Sequence, residues 1–202
     1  MTEVLGAILV GGASSRMGGN KALVEITGRP MGTWVSQAVA AALPADARSV
    51  TLGGAPLNGL PHVQDHPGVG PLRGFAAIAD FCDLSSVTPD AVLLVAVDHP
   101  WTRPDTLQAL IARFRGRTVV PTHHRIRQVT CAVYPMSFVA AASQGATVGK
   151  GFQELLDEMD VDEVSSDIWT GWGEDGRSWF SVDEPQDIAR GLARYGPPDG
   201  AQ

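Results

Sequence analysis

The sequence has few cysteines and no long apolar run, and both features exclude whole classes of protein. Cys82 and Cys131 lie far apart and form no C-x-x-C pair, so we expect reduced core thiols in a cytoplasmic protein. The longest apolar run, Ala91–Val97, has the length of a strand and falls far short of the roughly 18–20 residues that span a bilayer. No basic region precedes the short apolar run near the N-terminus, so we expect neither a membrane span nor a signal peptide.

The chain also lacks an excess of positive charge. Its formal net charge is −7, and affinity for duplex nucleic acid depends on neutralised phosphates, so we expect no nucleic-acid partner. A small anionic ligand is compatible with this charge if basic residues cluster locally. With 202 residues, 44% of them hydrophobic and 18% charged, the chain has the composition of a globular protein with a sizeable core. We predict a single domain over residues 1–195 and a disordered tail over 196–202.

Short apolar segments alternate with helical patterns along the chain. This alternation predicts an α/β fold of Rossmann-like type, with a mainly parallel central sheet, helices on both faces and right-handed crossovers. In such sheets ligands bind at the carboxyl ends of the strands. The predicted strands are Leu5–Val10, Ser49–Leu52, Pro61–Gln64, Ala91–Val97, Thr118–Val120, Val129–Tyr134 and Trp179–Val182. The predicted helices are Pro30–Leu43, one opened by Gly70-Pro71, one capped by Thr102, Phe152–Met159 and one from Glu184 that Asp183 caps.

A glycine-rich loop follows the first predicted strand. Residues 9–21 read L-V-G-G-A-S-S-R-M-G-G-N-K, with Arg16 and Lys21 as the basic side chains. Glycines let backbone N–H groups approach a phosphate closely and form an anion-binding nest. The spacing is not that of a Walker A loop, because Ala22 stands where Ser or Thr should follow the lysine, and it is not G-x-G-x-x-G either. The loop therefore predicts a phosphate site of another kind.

Asp98 and Asp65 follow two other predicted strands and are candidate ligand-binding carboxylates. Asp98 comes directly after Ala91–Val97, and Mg²⁺ favours one or two carboxylates together with substrate phosphates and water. Asp65 follows Pro61–Gln64, and a carboxylate can accept two hydrogen bonds from the N1–H and N2–H₂ edge of guanine. A turn-capping role for Asp98 and a solvated loop position for Asp65 stay open.

Six motifs in order resemble those of the molybdenum cofactor guanylyltransferase family, a group of nucleotidyltransferases. The loop resembles the family's G-G-x-S-S-R-M-G-G-x-K signature, and the likeness extends from about residue 5 to residue 194. Gly11 also favours guanine, because related cytidylyltransferases usually read A-G at this place. The other five motifs are Gly28-Arg-Pro30, Asp65 with Gly70–Gly74, Asp98-His-Pro100, Gln128–Tyr134 and Val182–Pro185.

The resemblance implies a magnesium-dependent enzyme that moves GMP from GTP to the phosphate of molybdopterin and releases pyrophosphate. A phosphate monoester is mostly dianionic at pH 7, so this nucleophile needs no general base. The implied partners are GTP, molybdopterin, and molybdoenzymes or other cofactor-biosynthesis proteins. The implied catalytic residues are Arg16, Lys21 and Asp98, with Asp98 as the metal ligand; the implied nucleotide-binding residues are Leu9, Val10, Gly11, Gly12, Lys21, Gly53, Asp65 and Asp98. The acceptor-binding candidates are Arg73, Arg125, Arg127, Ser181 and Asp183.

Several positions depart from the family pattern, and they keep other functions open. Asn20 stands where the family usually has Asp, Val129-Thr130 replaces Pro-Leu, and Ser181 and Asp183 replace two asparagines. One alternative is cytidylyl or other nucleotidyl transfer to a different phosphorylated acceptor. Another is a catalytically weak paralogue that only binds nucleotide or molybdenum cofactor.

Two further groups of side chains could suggest a ligand. His123-His124 has no acidic residue or cysteine at ligand spacing nearby, so we interpret it as a polar loop. Trp169, Trp172 and Trp179 could stack on a flat pterin or cover the edge of the core, and we favour the core.

Overall fold

An eight-stranded sheet organises the computed structural model, which describes residues 2–11, 20–57, 59–64, 72–147, 149 and 151–198. The strands are β1 Val4–Leu9, β2 Glu25–Ile26, β3 Arg29–Pro30, β4 Ser49–Leu52, β5 His62–Val63, β6 Ala91–Ala96, β7 Thr118–His123, β8 Ile126–Arg127, β9 Cys131–Pro135 and β10 Val161–Val164. The helices are α1 Met31–Ala42, α2 Leu72–Ser85, α3 Pro104–Arg113, α4 Met136–Thr147, α5 Phe152–Asp157, α6 Ser166–Trp169 and α7 Pro185–Tyr195. Short 3-10 turns cover Lys21–Leu23, Thr170–Trp172 and Arg177–Trp179.

The sheet has the order β5-β4-β1-β6-β9-β7-β10, with β8 paired to β7 and with β2 and β3 forming a separate hairpin. Strand β1 pairs in parallel with β4 and β6, and β10 pairs in parallel with β7. Strand β9 is antiparallel to both of its neighbours. The short connection from β7 through β8 can join only antiparallel strands, and β6 runs in the same direction as β7. The predicted α/β fold with a mainly parallel sheet is confirmed. The ends of β1, β4, β6 and β7 consequently share one edge, called here the carboxyl edge.

Helices cover both faces of the sheet. Residues Leu93 and Val95 of β6 belong to a core cluster shared with α1 and α3, whereas Val92 and Leu94 belong to a second cluster shared with α2 and α4. Every residue of β6 is buried, as its unbroken apolar sequence predicts for a central strand. This packing fixes the end of β6, and with it the position of Asp98.

The segment before α7 differs from its prediction. Trp179–Val182 was expected to be a strand, but Trp179 ends a 3-10 turn and no strand is present over these residues. The Val182 N–H donates to the Asp98 carbonyl at 2.8 Å, and the Val182 side chain is buried in a third cluster with Trp34 and Trp101. The apolar residue at 182 therefore anchors a loop, which explains why its sequence looks like that of a strand.

Two predicted helix caps are wrong. The Thr102 hydroxyl donates to the His99 and Ser178 carbonyls, and α3 begins two residues later, at Pro104. At α7 the N-cap is Glu184, whose N–H donates to the Asp187 carboxylate at 2.8 Å. The Thr102 hydroxyl and the Asp183 carboxylate thus have other partners than the helix N-termini that they were predicted to cap.

The cysteines and two of the tryptophans lie where they were expected. Cys82 and Cys131 are buried free thiols, and burial raises the pKa of both. Trp169 and Trp179 are buried against the first core cluster, with ring centroids 5.8 Å apart. These two residues are therefore part of the core, as favoured above.

Gly196 and Pro198, in the predicted tail, contact the rest of the domain. The Trp101 indole N–H donates to the Gly196 carbonyl at 2.8 Å, and Pro198 is buried. The elements α4 and β10 are among those that were not predicted from the sequence. Among the residues that the structure describes, no helix has both the length and the apolar character needed to cross a membrane.

Candidate functional site

The ends of β1 and β4 meet closely at the carboxyl edge. The Val10 N–H donates to the Leu52 carbonyl at 2.9 Å, and the Gly11 N–H donates to the same oxygen at 3.3 Å. Gly53 and Gly54 both have left-handed φ angles, 60° and 59°, and a Cβ on Gly54 would lie 3.0 Å from the Val10 carbonyl group. Glycine is required there because only a residue without Cβ allows this approach. The structure thus brings Leu9, Val10, Gly11 and Gly53 together.

Lys21 lies at the far end of the glycine-rich loop, on a short 3-10 turn. Its neighbour Asn20 caps that turn, because the Asn20 side-chain oxygen accepts a hydrogen bond from the Ala22 N–H at 3.0 Å. Asn and Asp are equally good N-cap residues, so Asn20 can perform this local task of the aspartate that the family usually carries. The cap directs the Lys21 side chain toward the end of β6.

Lys21, Asp98 and Asp183 form a cluster, called here the Lys21 cluster. The Lys21 Nζ lies 2.7 Å from Asp183 Oδ1 and 3.4 Å from Asp98 Oδ2. The exposed fractions of the side chains are 13% for Lys21, 26% for Asp98 and 56% for Asp183. One ammonium group therefore bridges two carboxylates that are far apart in the sequence, Asp98 near its middle and Asp183 near its C-terminus.

The protonation of this cluster follows from its contacts. Burial lowers the pKa of Lys21, but the hydrogen bond to Asp183 and the charges of both carboxylates outweigh burial, so its pKa is raised. The hydrogen bond from Lys21 lowers the pKa of Asp183, against the opposing effect of burial. Lys21 is therefore an ammonium and Asp183 a carboxylate at neutral pH.

Polar contacts fix the backbone around Asp183. The Asp183 and Glu184 N–H groups both donate to the Asp187 carboxylate, at 2.9 and 2.8 Å, and Asp187 also pairs with Arg190. The Ser181 hydroxyl donates to Asp183 Oδ2 at 3.0 Å. Asp183 was predicted on the acceptor side, but its carboxylate contacts the predicted phosphate-binding lysine.

His99 and Thr130 connect the end of β6 to the start of β9. The His99 ring is buried, and its Nε2 lies 3.0 Å from the Thr130 hydroxyl and 3.6 Å from Asp98 Oδ1. The Ala96 N–H donates to the Thr130 carbonyl at 2.8 Å. Thr130, one of the departures from the family pattern, is therefore the polar partner of the histidine that follows Asp98.

The remaining predicted acceptor residues lie in different surroundings. Arg125 is exposed on the two-residue turn between β7 and β8, at the carboxyl edge. Arg127 pairs with Asp157 and Glu163, so its charge is compensated within the protein. Arg73 lies in the first turn of α2. Three predicted site residues, Gly12, Arg16 and Asp65, lie outside the described residues.

Sequence reasoning missed several residues that build this site. It treated His99 only as the middle residue of a motif, and it gave Asp187 no role. The spacing of Glu184 and Asp187 is that of a capping box, which could have marked the start of α7. Nothing local in the sequence indicates that Asp183 contacts Lys21, since the two are 162 positions apart.

The comparisons with known proteins agree with this architecture. A curated relative from Rhodobacter capsulatus, named molybdenum cofactor guanylyltransferase, is 32% identical over 116 residues, which are 54% of this chain and 58% of the relative. This match spans less than two thirds of that relative's length. A second, from Pelotomaculum thermopropionicum and named probable molybdenum cofactor guanylyltransferase, is 27% identical over 197 residues, which are 94% of this chain and 92% of the relative.

A solved structure shows the same fold over nearly the whole chain. The molybdopterin-guanine dinucleotide biosynthesis protein A from Archaeoglobus fulgidus aligns with a TM-score of 0.73 and 20% identity, covering 93% of this chain and 96% of that one. The family model for the MobA-like NTP transferase domain matches residues 6–163. Because that match covers most of the sequence, the chain belongs to the MobA-like NTP transferase family.

Proposed function

We propose that this protein transfers GMP from GTP to the phosphate of molybdopterin and releases pyrophosphate. The observation that carries the proposal is the Lys21 cluster, which puts an ammonium and two carboxylates at the carboxyl edge, beside the end of β1. Ligands of open α/β sheets bind at this edge. The names of the curated relatives supply the substrates.

The donor set of the cluster fits Mg²⁺. Asp98 and Asp183 direct one oxygen each at a single point that already holds a positive group, and Mg²⁺ usually takes one or two carboxylates plus phosphate oxygens and water. Within the described part of the chain no three metal-binding side chains converge, so phosphates and water would supply the other ligands. When bound, the metal would neutralise charge at the α-phosphate.

The protein's own groups position and neutralise the triphosphate. The predicted loop amides bind phosphate oxygens, and Lys21 and Arg16 offset the charge that develops on the leaving pyrophosphate. Asp65 binds the guanine edge. Phosphoryl chemistry of this type depends on positioning and electrostatics, so it needs no general base.

The turn between β7 and β8 is the best candidate for the acceptor's phosphate. His124 and Arg125 have left-handed φ angles of 50° and 64°, and such conformations cost non-glycine residues of order 1–3 kcal/mol each. They are the conformations that a two-residue type I′ hairpin turn requires, and this turn leaves the exposed Arg125 at the carboxyl edge, where an anionic ligand can bind. Arg125 therefore takes precedence over Arg127, whose guanidinium is held by Asp157 and Glu163.

The decisive experiment measures pyrophosphate release by the purified protein with molybdopterin, Mg²⁺ and GTP, with CTP and ATP in parallel. We expect release with GTP, and its loss in Asp98→Asn, which keeps the shape of the side chain and removes its charge. Asp46→Asn is the matched control, because Asp46 is exposed and lies before β4, at the opposite edge. Faster release with CTP would instead favour cytidylyl transfer. Nucleotide binding without release in any combination would favour the weak paralogue.

A further inference from the structure

In the Lys21 cluster, a lysine occupies the position that suits a divalent cation. The Nζ group lies between Asp183 Oδ1 and Asp98 Oδ2, at 2.7 and 3.4 Å. With two carboxylates and one ammonium, the cluster keeps a net charge of −1. A divalent ion in place of the ammonium would make it neutral, whereas both cations together would leave an excess positive charge.

We propose that Lys21 and the divalent metal exchange at this position: the metal displaces the ammonium from Asp98 and Asp183, and the freed Lys21 then binds phosphate. The inference rests on the proposed function for the identity of the metal and the phosphate. It gives Lys21 two successive partners, and it makes this lysine a built-in competitor of the metal.

The direction of movement follows from what is fixed and what is flexible. The Val182 N–H bonds to the Asp98 carbonyl, and Asp187 holds the Asp183 and Glu184 N–H groups, so both carboxylates are anchored through their backbone. Lys21 reaches them through a flexible four-carbon stem. Two cations within about 4 Å repel each other, and the lysine is the group free to move, so the metal expels the lysine and leaves the carboxylates in place.

The exchange depends on Asp183, a residue in which this sequence departs from the family pattern. Asp183 provides the shorter of the two contacts of Lys21, and it stands where the resemblance has asparagine. An asparagine could still accept a hydrogen bond from Lys21, but it would leave Lys21 only the longer of the two ion pairs, with Asp98. The exchange should therefore be pronounced in the parent protein and weak in Asp183→Asn.

Metal binding without nucleotide tests the competition directly. Mn²⁺ can be titrated into the full chain and followed by electron paramagnetic resonance. We expect Lys21→Met, which keeps the stem and removes the charge, to bind Mn²⁺ roughly 3- to 10-fold more tightly than the parent, a range scaled down for the partial exposure of the cluster. Arg48→Met, at the opposite edge, should leave the affinity unchanged. Unchanged or weaker Mn²⁺ binding by Lys21→Met would overturn the proposal.

Chemical labelling tests the displacement without relying on Lys21→Met. The chain contains two lysines, Lys21 and Lys150, so acetylation of Lys21 can be measured by mass spectrometry relative to Lys150 as an internal reference. Lys21 is only 13% exposed while it bridges the carboxylates. We expect Mg²⁺, at constant ionic strength, to raise its relative labelling rate severalfold. In Asp183→Asn the rate should be high already and change little. A Lys21 labelling rate in the parent that does not change with Mg²⁺ would overturn the exchange.

Neither measurement involves nucleotide or acceptor, so the two proposals fail separately. Metal-dependent labelling in a protein that transfers no GMP would refute the proposed function and leave the exchange standing. Normal GMP transfer together with metal-independent labelling would refute the exchange alone.

Discussion

Glu174 holds together the loop that leads to the site, and its replacement tests how that loop is stabilised. The side chain is 3% exposed. Its Oε1 accepts the backbone N–H groups of Asp175, Gly176 and Ser178 at 3.0, 2.7 and 3.3 Å, and its Oε2 accepts the hydroxyls of Thr106 and Ser178, both at 2.6 Å. One buried carboxylate thus satisfies five donors and connects this loop to α3.

The cost of Glu174→Gln can be worked out from these contacts. The amide oxygen can still accept the three N–H groups, and the two hydroxyls can rotate to accept from its NH₂. What is lost is the charge: a hydrogen bond to a charged group contributes about 1.5–3 kcal/mol and a neutral one about 0.5–1.5. The smaller desolvation cost of an amide offsets part of this difference. We expect the free energy of unfolding to fall by about 1–3 kcal/mol, and the Tm by roughly 2–4 °C for each kcal/mol.

Urea unfolding followed by circular dichroism measures this change. Glu174→Leu should be worse than Glu174→Gln, because it leaves buried N–H groups without an acceptor at about 1–3 kcal/mol each. Glu25→Gln, at an exposed position, should lie within about 0.5 kcal/mol of the parent. If Glu174→Gln were as stable as Glu25→Gln, the carboxylate would not be what holds the loop.

Three further predictions concern the site itself. Thr130→Val removes the hydroxyl partner of the buried His99 and should cost about 1–3 kcal/mol of stability and slow GMP transfer, whereas Thr130→Ser should restore both; equal turnover by the Val and Ser variants would contradict the role. Arg125→Ala should raise the KM for molybdopterin roughly tenfold, since a charge-assisted contact of about 1.5 kcal/mol is lost, and leave the KM for GTP unchanged in steady-state assays. Because the pKa of Asp183 is lowered, its pairing with Lys21 stabilises the fold above pH about 4 and loses this effect as pH falls through the lowered pKa. The free energies of unfolding of the parent and of Asp183→Asn, measured in urea, should therefore converge in acid. At alkaline pH the raised pKa of Lys21 keeps the pair intact up to the usual titration range of lysine. A difference in stability between parent and Asp183→Asn that widened in acid would contradict this pH dependence.

The parts of the fold that were predictable have a strong local pattern. Ser49–Leu52 was predicted as a strand and is β4, and Ala91–Val97 contains β6, because apolar runs bounded by turn residues have few alternatives. The α4 segment was missed, since its small residues, four alanines among them, give little periodic contrast. Strand β10, V-D-E-V, has only one buried residue. It forms because β7 offers an edge for pairing, and no local sequence pattern indicates such an edge.

The residues of the site likewise divide into those that a local pattern predicts and those that it does not. Lys21 and Asp98 could be predicted because each directly follows a recognisable element, a glycine-rich loop and a buried strand. The contribution of Asp183 could not, because its place depends on Val182 fitting into a cluster with Trp34 and Trp101 and on a backbone bond to Asp98. Such long-range packing decides which carboxylate faces which cation.

The departures from the family pattern are less disruptive in the structure than in the sequence. Asn20 replaces an aspartate and still caps the turn that carries Lys21. Thr130 replaces a leucine and gains a hydrogen bond to the histidine after Asp98. Asp183 replaces an asparagine and gains an ion pair with Lys21. Each of these three residues has a partner within the site, which argues against the random loss of contacts expected of a decaying paralogue. Two of the changes concern charge, since Asn20 removes a carboxylate next to Lys21 in the sequence and Asp183 adds one in contact with its ammonium, and metal affinity is the property that such a change affects first.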